Sequence, residues 1–190
     1  VYQENIKTGE GIVDAEGLYQ GDWKLYFPSG ELRAEGAYLD GEREGDWIFY
    51  FKSGETEQIG QYKNGLPHGP WKWYYKEKML LREERFRKGK EDGLMVEYDR
   101  EGEIITTGEY VDGYENGEWF YTVNDHTEKG VYIDGEKNGV WIYTYDNGNK
   151  NFEGEFSGGI PLGKHKWFYR NGRTKMDGKY KSGEKHGDWS

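Results

Sequence analysis

The chain contains no cysteine, which excludes a disulfide scaffold, a thiol nucleophile and any Cys-ligated metal site. Such a composition suits the cytoplasm and an oxidising compartment alike, so the compartment stays open, with a lean to an exported or envelope protein of a bacterium. Proline is scarce, with 4 residues in 190, so the 30 glycines belong neither to a collagen-like repeat nor to a linker. No apolar run approaches the ~18 residues of a membrane helix, and Val1-Tyr2-Gln3-Glu4 is not a signal peptide. Positive charge is in deficit. With 26 basic against 36 acidic residues the formal net charge is -10, a field that repels nucleic acid and anionic lipid headgroups. The chain starts without Met and stops in mid-pattern at Asp188-Trp189-Ser190, as expected of a piece of a longer protein.

Aliphatic residues are also few, but aromatic ones are not. The hydrophobic share is 34% and half of it is aromatic, at 17% of all residues. A mean hydropathy of -1.11 therefore does not signal disorder, because disordered chains lack that aromatic content. Many glycines, few prolines and many rings together predict an all-β protein rich in tight turns.

The rings are periodic. Gly-x-Trp recurs at Gly21/Trp23, Gly45/Trp47, Gly69/Trp71, Gly117/Trp119, Gly139/Trp141 and Gly187/Trp189, mostly 24 residues apart. Gly93/Met95 and Gly163/His165 fit the same frame with the Trp replaced. A two-residue deletion between Trp119 and Trp141 is the one change of length. Seven residues after the Trp position stands a second marker, Gly30, Gly54, Gly102, Gly148 and Gly172, which the pattern reads as the end of a two-residue type I′ hairpin turn. A third is Gly-x-Tyr/Phe, as in Gly36/Tyr38, followed by a further turn at Asp40-Gly41 and its equivalents. Each unit is thus strand, turn, strand, connection.

Gly36 to Gly54 reads Gly-x-Tyr-x-x-Gly-x-x-x-Gly-x-Trp-x-x-Tyr-x-x-x-Gly, which resembles the MORN repeat and is similar to its bacterial, antitoxin-like variant. The resemblance runs from about Gly11 to Trp189. It implies a twisted sheet of stacked hairpins and a role in protein binding, scaffolding or dimerisation. The expected fold is an all-β, elongated single-layer array of about seven 24-residue antiparallel hairpin units with about 15 strands, on the order of 70 Å long. Residues 1–190 form one array whose first unit is partial and whose last is truncated.

Alternation along a strand places the Trp position, +2 and +4 on one face. That face reads as an aromatic ladder with Trp23, Trp47, Trp71, Trp119, Trp141 and Trp167 as its rungs, serving as the core. The other face carries Tyr26, Tyr50, Tyr74 and Tyr98, giving way to Thr122 and Thr144. These tyrosines either pack against the second strand of their own hairpin or form an exposed strip for a partner. The segment Lys76 to Lys90 breaks the pattern, since Lys78 takes the turn-Gly place and Glu84 the Gly before the aromatic. Three readings stay open for it: a longer solvated hairpin, a short helix, or a basic docking patch of Lys78, Arg82, Arg85 and Arg87.

Catalytic chemistry finds no support. His68 and His186 precede repeat glycines, and His126 and His165 lack any metal-ligand spacing. Asp22, Asp46, Glu118 and Asp188 recur unit by unit, where an acid/base pair should be singular. No Gly-x-Ser-x-Gly elbow or phosphate loop occurs. The expectation is a non-enzymatic module without cofactor or metal that binds a protein partner and self-associates through the array ends. The alternatives are a carbohydrate-binding envelope protein using exposed aromatics, and a toxin-neutralising partner.

Overall fold

The computed structural model describes residues 1–3 and 6–190, and these form strands and turns with no helix among them. They divide into two compact units, residues 1–93 with 98–103 and residues 94–97 with 104–190. In the first, the strands Gly9–Val13, Tyr19–Tyr26, Leu32–Leu39, Glu42–Tyr50, Thr56–Lys63, Leu66–Tyr74 and Leu80–Arg87 each pair antiparallel with the next. The second repeats this with Ile104–Val111, Tyr114–Val123, His126–Ile133, Glu136–Tyr145, Lys150–Ser157, Ile160–Phe168, Thr174–Lys181 and Glu184–His186. In neither unit does a pairing join the last of these strands back to the first, so each is an open single layer of consecutive hairpins. The described residues hold 19 strands rather than about 15, the excess being very short pairings such as Lys90–Glu91.

Two turn types alternate. At Asp40-Gly41, Asn64-Gly65, Lys88-Gly89, Asp112-Gly113 and Asp134-Gly135 both residues have positive φ, as type I′ turns require. At Gly30, Gly54, Gly102, Gly148 and Gly172 only the glycine does. There the glycine N–H bonds the carbonyl three residues back, as Gly30 does to Phe27 at 2.9 Å. The type I′ geometry expected at the marker glycines therefore belongs to the other connection. The marker turn is a type I turn closed by a left-handed glycine, and the strand register shifts beside it, between Leu25 and Tyr26 for example.

The two-residue deletion removes that bulge. Val123 pairs directly with His126 across Asn124-Asp125, without a register shift in the hairpin. His126 consequently begins a strand and is not a turn residue. The irregular segment keeps the ordinary turn, with Lys78 N–H bonded to Tyr75 O at 2.9 Å and Lys78 held at φ 66°. Neither the helix nor the lengthened hairpin forms. Leu80–Arg87 is a strand like its equivalents because its pairing partners dictate an extended chain, overriding helix propensity.

A single layer has no second sheet to bury its apolar face, and the indoles solve this by lying on glycine. A Cβ at Gly11, Gly36, Gly60, Gly108 or Gly130 would come closer than 3.0 Å to the ring of Trp23, Trp47, Trp71, Trp119 or Trp141. Each ring thus crosses the strand before its own. Each indole N–H reaches the carbonyl just past that glycine: Trp23 to Ile12, Trp47 to Ala37, Trp71 to Gln61, Trp119 to Glu109 and Trp141 to Val131, at 3.0 to 3.2 Å. A register shift falls at the same glycine, as between Gly36 and Ala37, opposite the left-handed Gly45 of the Gly-x-Trp step. The Gly-x-Trp signature is thus a bulge that presents a carbonyl to the next indole. These rings are 0 to 4% exposed and form the core.

Candidate functional site

At Trp23, Trp47 and Trp141 the residue four before, overlooked in the sequence because its identity varies, covers the indole. Tyr19 stacks on Trp23 at 3.9 Å, the Arg43 guanidinium stands 4.6 Å from Trp47 and the Lys137 ammonium 3.9 Å from Trp141. Lys137 also bonds the Tyr143 hydroxyl at 2.9 Å, and its burial lowers its pKa against the opposing pull of Glu128. The signal that finds this position is its fixed offset from the Trp across the bulge.

Trp167 does not hold a Trp position. It stands at +2, half-buried, 5.9 Å from the His165 ring, and His165 takes the indole's place over Gly154. His165 is 2% exposed, and its Nε2 lies 2.9 Å from Glu155 O, the carbonyl an indole would use. That contact requires the proton on Nε2. His165 is therefore a core residue. His126 lies between Asp125 and Glu128, at 3.2 and 3.3 Å. No three His, Asp or Glu side chains converge as a metal set among the described residues.

The tyrosine row lies on the face away from the indoles and is half-buried. Its hydroxyls bond carboxylates of the strand before, not of the hairpin partner: Tyr26 to Glu10, Tyr50 to Glu35, and Tyr98 to Glu83 at 3.1 Å. Burial, then Glu35, pushes the Tyr50 hydroxyl up to about 12. For Tyr26 the bond to Glu10 is the larger cause of a shift in the same direction. In the frame Tyr74 faces Ile59 where the others face Glu, and the threonines Thr122 and Thr144 appear where that place is Thr107 or Lys129. The row is thus three Tyr–Glu pairs with Tyr74 between them, and the units of Thr122 and Thr144 lack such a pair.

The basic segment does not form one patch. Arg82 pairs with the buried Glu84 and reaches toward Trp73 on the indole face. Arg87 pairs with Asp92 at 2.7 Å, and alternation puts it and Arg85 on the tyrosine face, while Lys78 caps a turn. In the later units the tyrosine face becomes more apolar. Val140, Ile142 and Leu162 are 53%, 38% and 40% exposed there, with Phe120 and Val131 half-buried beside them around a shallow hollow.

The family described as MORN repeat variant matches residues 19–40, 43–64 and 67–88. Residues 19–88 thus carry three consecutive repeats of that family. The three matched MORN repeats begin at Tyr19, Arg43 and Pro67, each four residues before a Trp, and end at Asp40, Asn64 and Lys88, the first residues of the type I′ turns. No curated protein matches the chain. Among solved structures, "Crystal structure of GtfA/B complex bound to UDP and GlcNAc" is similar at 18% identity over 59% of this chain and 22% of that one, with a TM-score of 0.28. A likeness that slight carries nothing about this MORN array's shape or activity.

Proposed function

We propose that the chain is a non-catalytic protein-binding module that recognises its partner with the sheet face opposite the indoles. The observation that carries this is the sequestration of Trp23, Trp47, Trp71, Trp119 and Trp141, 0 to 4% exposed, which leaves these five no ring face to offer a ligand. Carbohydrate stacking needs such faces, which leaves the glycan alternative the half-buried Trp73, Trp167 and Trp189. The opposite face offers amphipathic tyrosines in the first unit and exposed Val140, Ile142 and Leu162 in the second, the residue types that interfaces use. Tyr26, Tyr50, Tyr74 and Tyr98 remain the candidate contacts of the first unit, and Arg85 and Arg87 flank them. Arg82 and Lys78 are less suited, one being engaged in the core and the other in a turn.

A photo-crosslinking residue placed at Ile142 or Tyr50, compared with one on the indole face at Gln58, tests the assignment. Adducts from the first two positions, reconstituted with the purified partner and lost on V140K/I142K or Y50A, support it. Adducts from Gln58 alone would overturn it, as would tryptophan quenching by polysaccharide.

A further inference from the structure

Resting on the reading that this face is the recognition surface, we propose that its occupant in the second unit is a second copy of the chain, packed face to face about the strand Glu136–Tyr145. The centre of the patch is Val140 and Ile142, neighbours on that strand and both exposed. Ile142 pairs with Lys129 on one side and Glu153 on the other. One repeat further out, the place of Val140 is held by Glu118 on the first side and Lys164 on the second, and the place of Ile142 by Phe120 and Lys166. Opposite charges thus stand at equal distances left and right of an apolar centre.

A twofold axis along the central strand exchanges left for right. It brings Lys129 of each copy over Glu153 of the other, Glu118 over Lys164, and the Lys166 ammonium over the Phe120 ring, while Val140 and Ile142 meet their own equivalents. Val131 against Glu155 and Leu162 against Asn116 are the unmatched positions. An axis across the strands would instead set Lys129 on Lys129, so the charges select one orientation. Tilting each central strand about 15° from the axis gives the ~30° of aligned sheet packing. The charges have partners within the chain, Lys129 with Glu118 at 3.3 Å, Glu153 with Lys150 at 2.7 Å and Lys164 with the half-buried Asp177 at 3.3 Å, and surface pairs of this kind are cheaply exchanged. Five strands at ~4.8 Å spacing make a face of about 25 by 20 Å, smaller than the ~800 Å² per partner of a standard interface, which suits a reversible dimer.

Sedimentation velocity of the full chain across a concentration series tests this. The expected result is a monomer–dimer equilibrium that V140K/I142K abolishes. K129E and E153K should each weaken it by roughly tenfold or more, because either reversal makes both symmetry-related contacts repulsive. The swap K129E/E153K should restore it, and circular dichroism should show all variants folded. A chain that stays monomeric at every concentration overturns the proposal, and so does a dimer indifferent to the reversals or unrescued by the swap. If the chain is monomeric while a crosslinker at Ile142 still captures a different protein, the recognition face stands and the second copy is wrong.

Discussion

The Phe152 ring leans over Gly154 beside His165, their ring centroids 5.5 Å apart, and the two together fill the space that one indole fills in other units. The equivalents of Phe152 are Gly9, Ala34, Gln58, Arg82, Thr106, Glu128 and Met176, none of them aromatic. The one aromatic residue at this place accompanies the smaller ring.

Restoring the consensus at one of these positions should therefore fail. H165W, with Phe152 in place, overpacks the site and should destabilise by about 1–3 kcal/mol. F152A leaves a void beside the imidazole and should cost about 3–5 kcal/mol. H165W/F152A should recover most of both losses, so urea denaturation of the four proteins should give a large favourable coupling. Additive losses would mean that the two rings do not share a space.

Glycines under indoles should be far less replaceable than glycines in open turns. G36A drives a Cβ into the Trp47 ring and should cost about 3 kcal/mol or more. G30A meets no atom within 4 Å and pays only for a left-handed backbone, about 1–2 kcal/mol. Thermal denaturation of the two variants checks the order.

Lys78 occupies a left-handed position, φ 66°, that glycine fills at Gly30 and Gly54. K78G should stabilise by about 1 kcal/mol by releasing that strain, read as a rise in Tm. A fall would show that the Lys78 side chain makes a contribution exceeding its backbone cost.

Stability should decline at alkaline pH through the tyrosines. The Tyr50 hydroxyl is raised to about 12 by burial and by Glu35, against 10.0 for a free phenol, and Tyr26 and Tyr98 are shifted the same way. A raised folded value means that the unfolded chain ionises first. The stabilisation is complete below pH ~10 and is lost as pH climbs from there towards the folded values. Phenolate absorbance should show these tyrosines titrating late, and Y50F should flatten the alkaline fall in Tm.

The period and the hairpins were legible in the sequence because each unit repeats the same steric demand: Gly-x-Trp, a turn glycine, Gly-x-Tyr. Where a repeat deviates, pattern alone misjudged the outcome. His165 reads as an exception and is a conforming core ring. Lys76 to Lys90 reads as a possible helix or longer loop, yet it keeps strand and turn, since pairing fixes its backbone. The covering residues Tyr19, Arg43 and Lys137 stayed invisible because a π face accepts an aromatic ring or a cation alike, so no single residue type marks the place.

The sequence by itself determined the unit, the strand alternation and the ring that each unit contributes, since those follow from local sterics and a period of two. Only the tertiary structure decided which strand each side chain answers to. Trp47 belongs to the carbonyl of Ala37 and Tyr50 to the carboxylate of Glu35, both on the strand before, because a bulge at Gly36 shifts the ladder and a ring can lie only where the neighbouring strand has no Cβ.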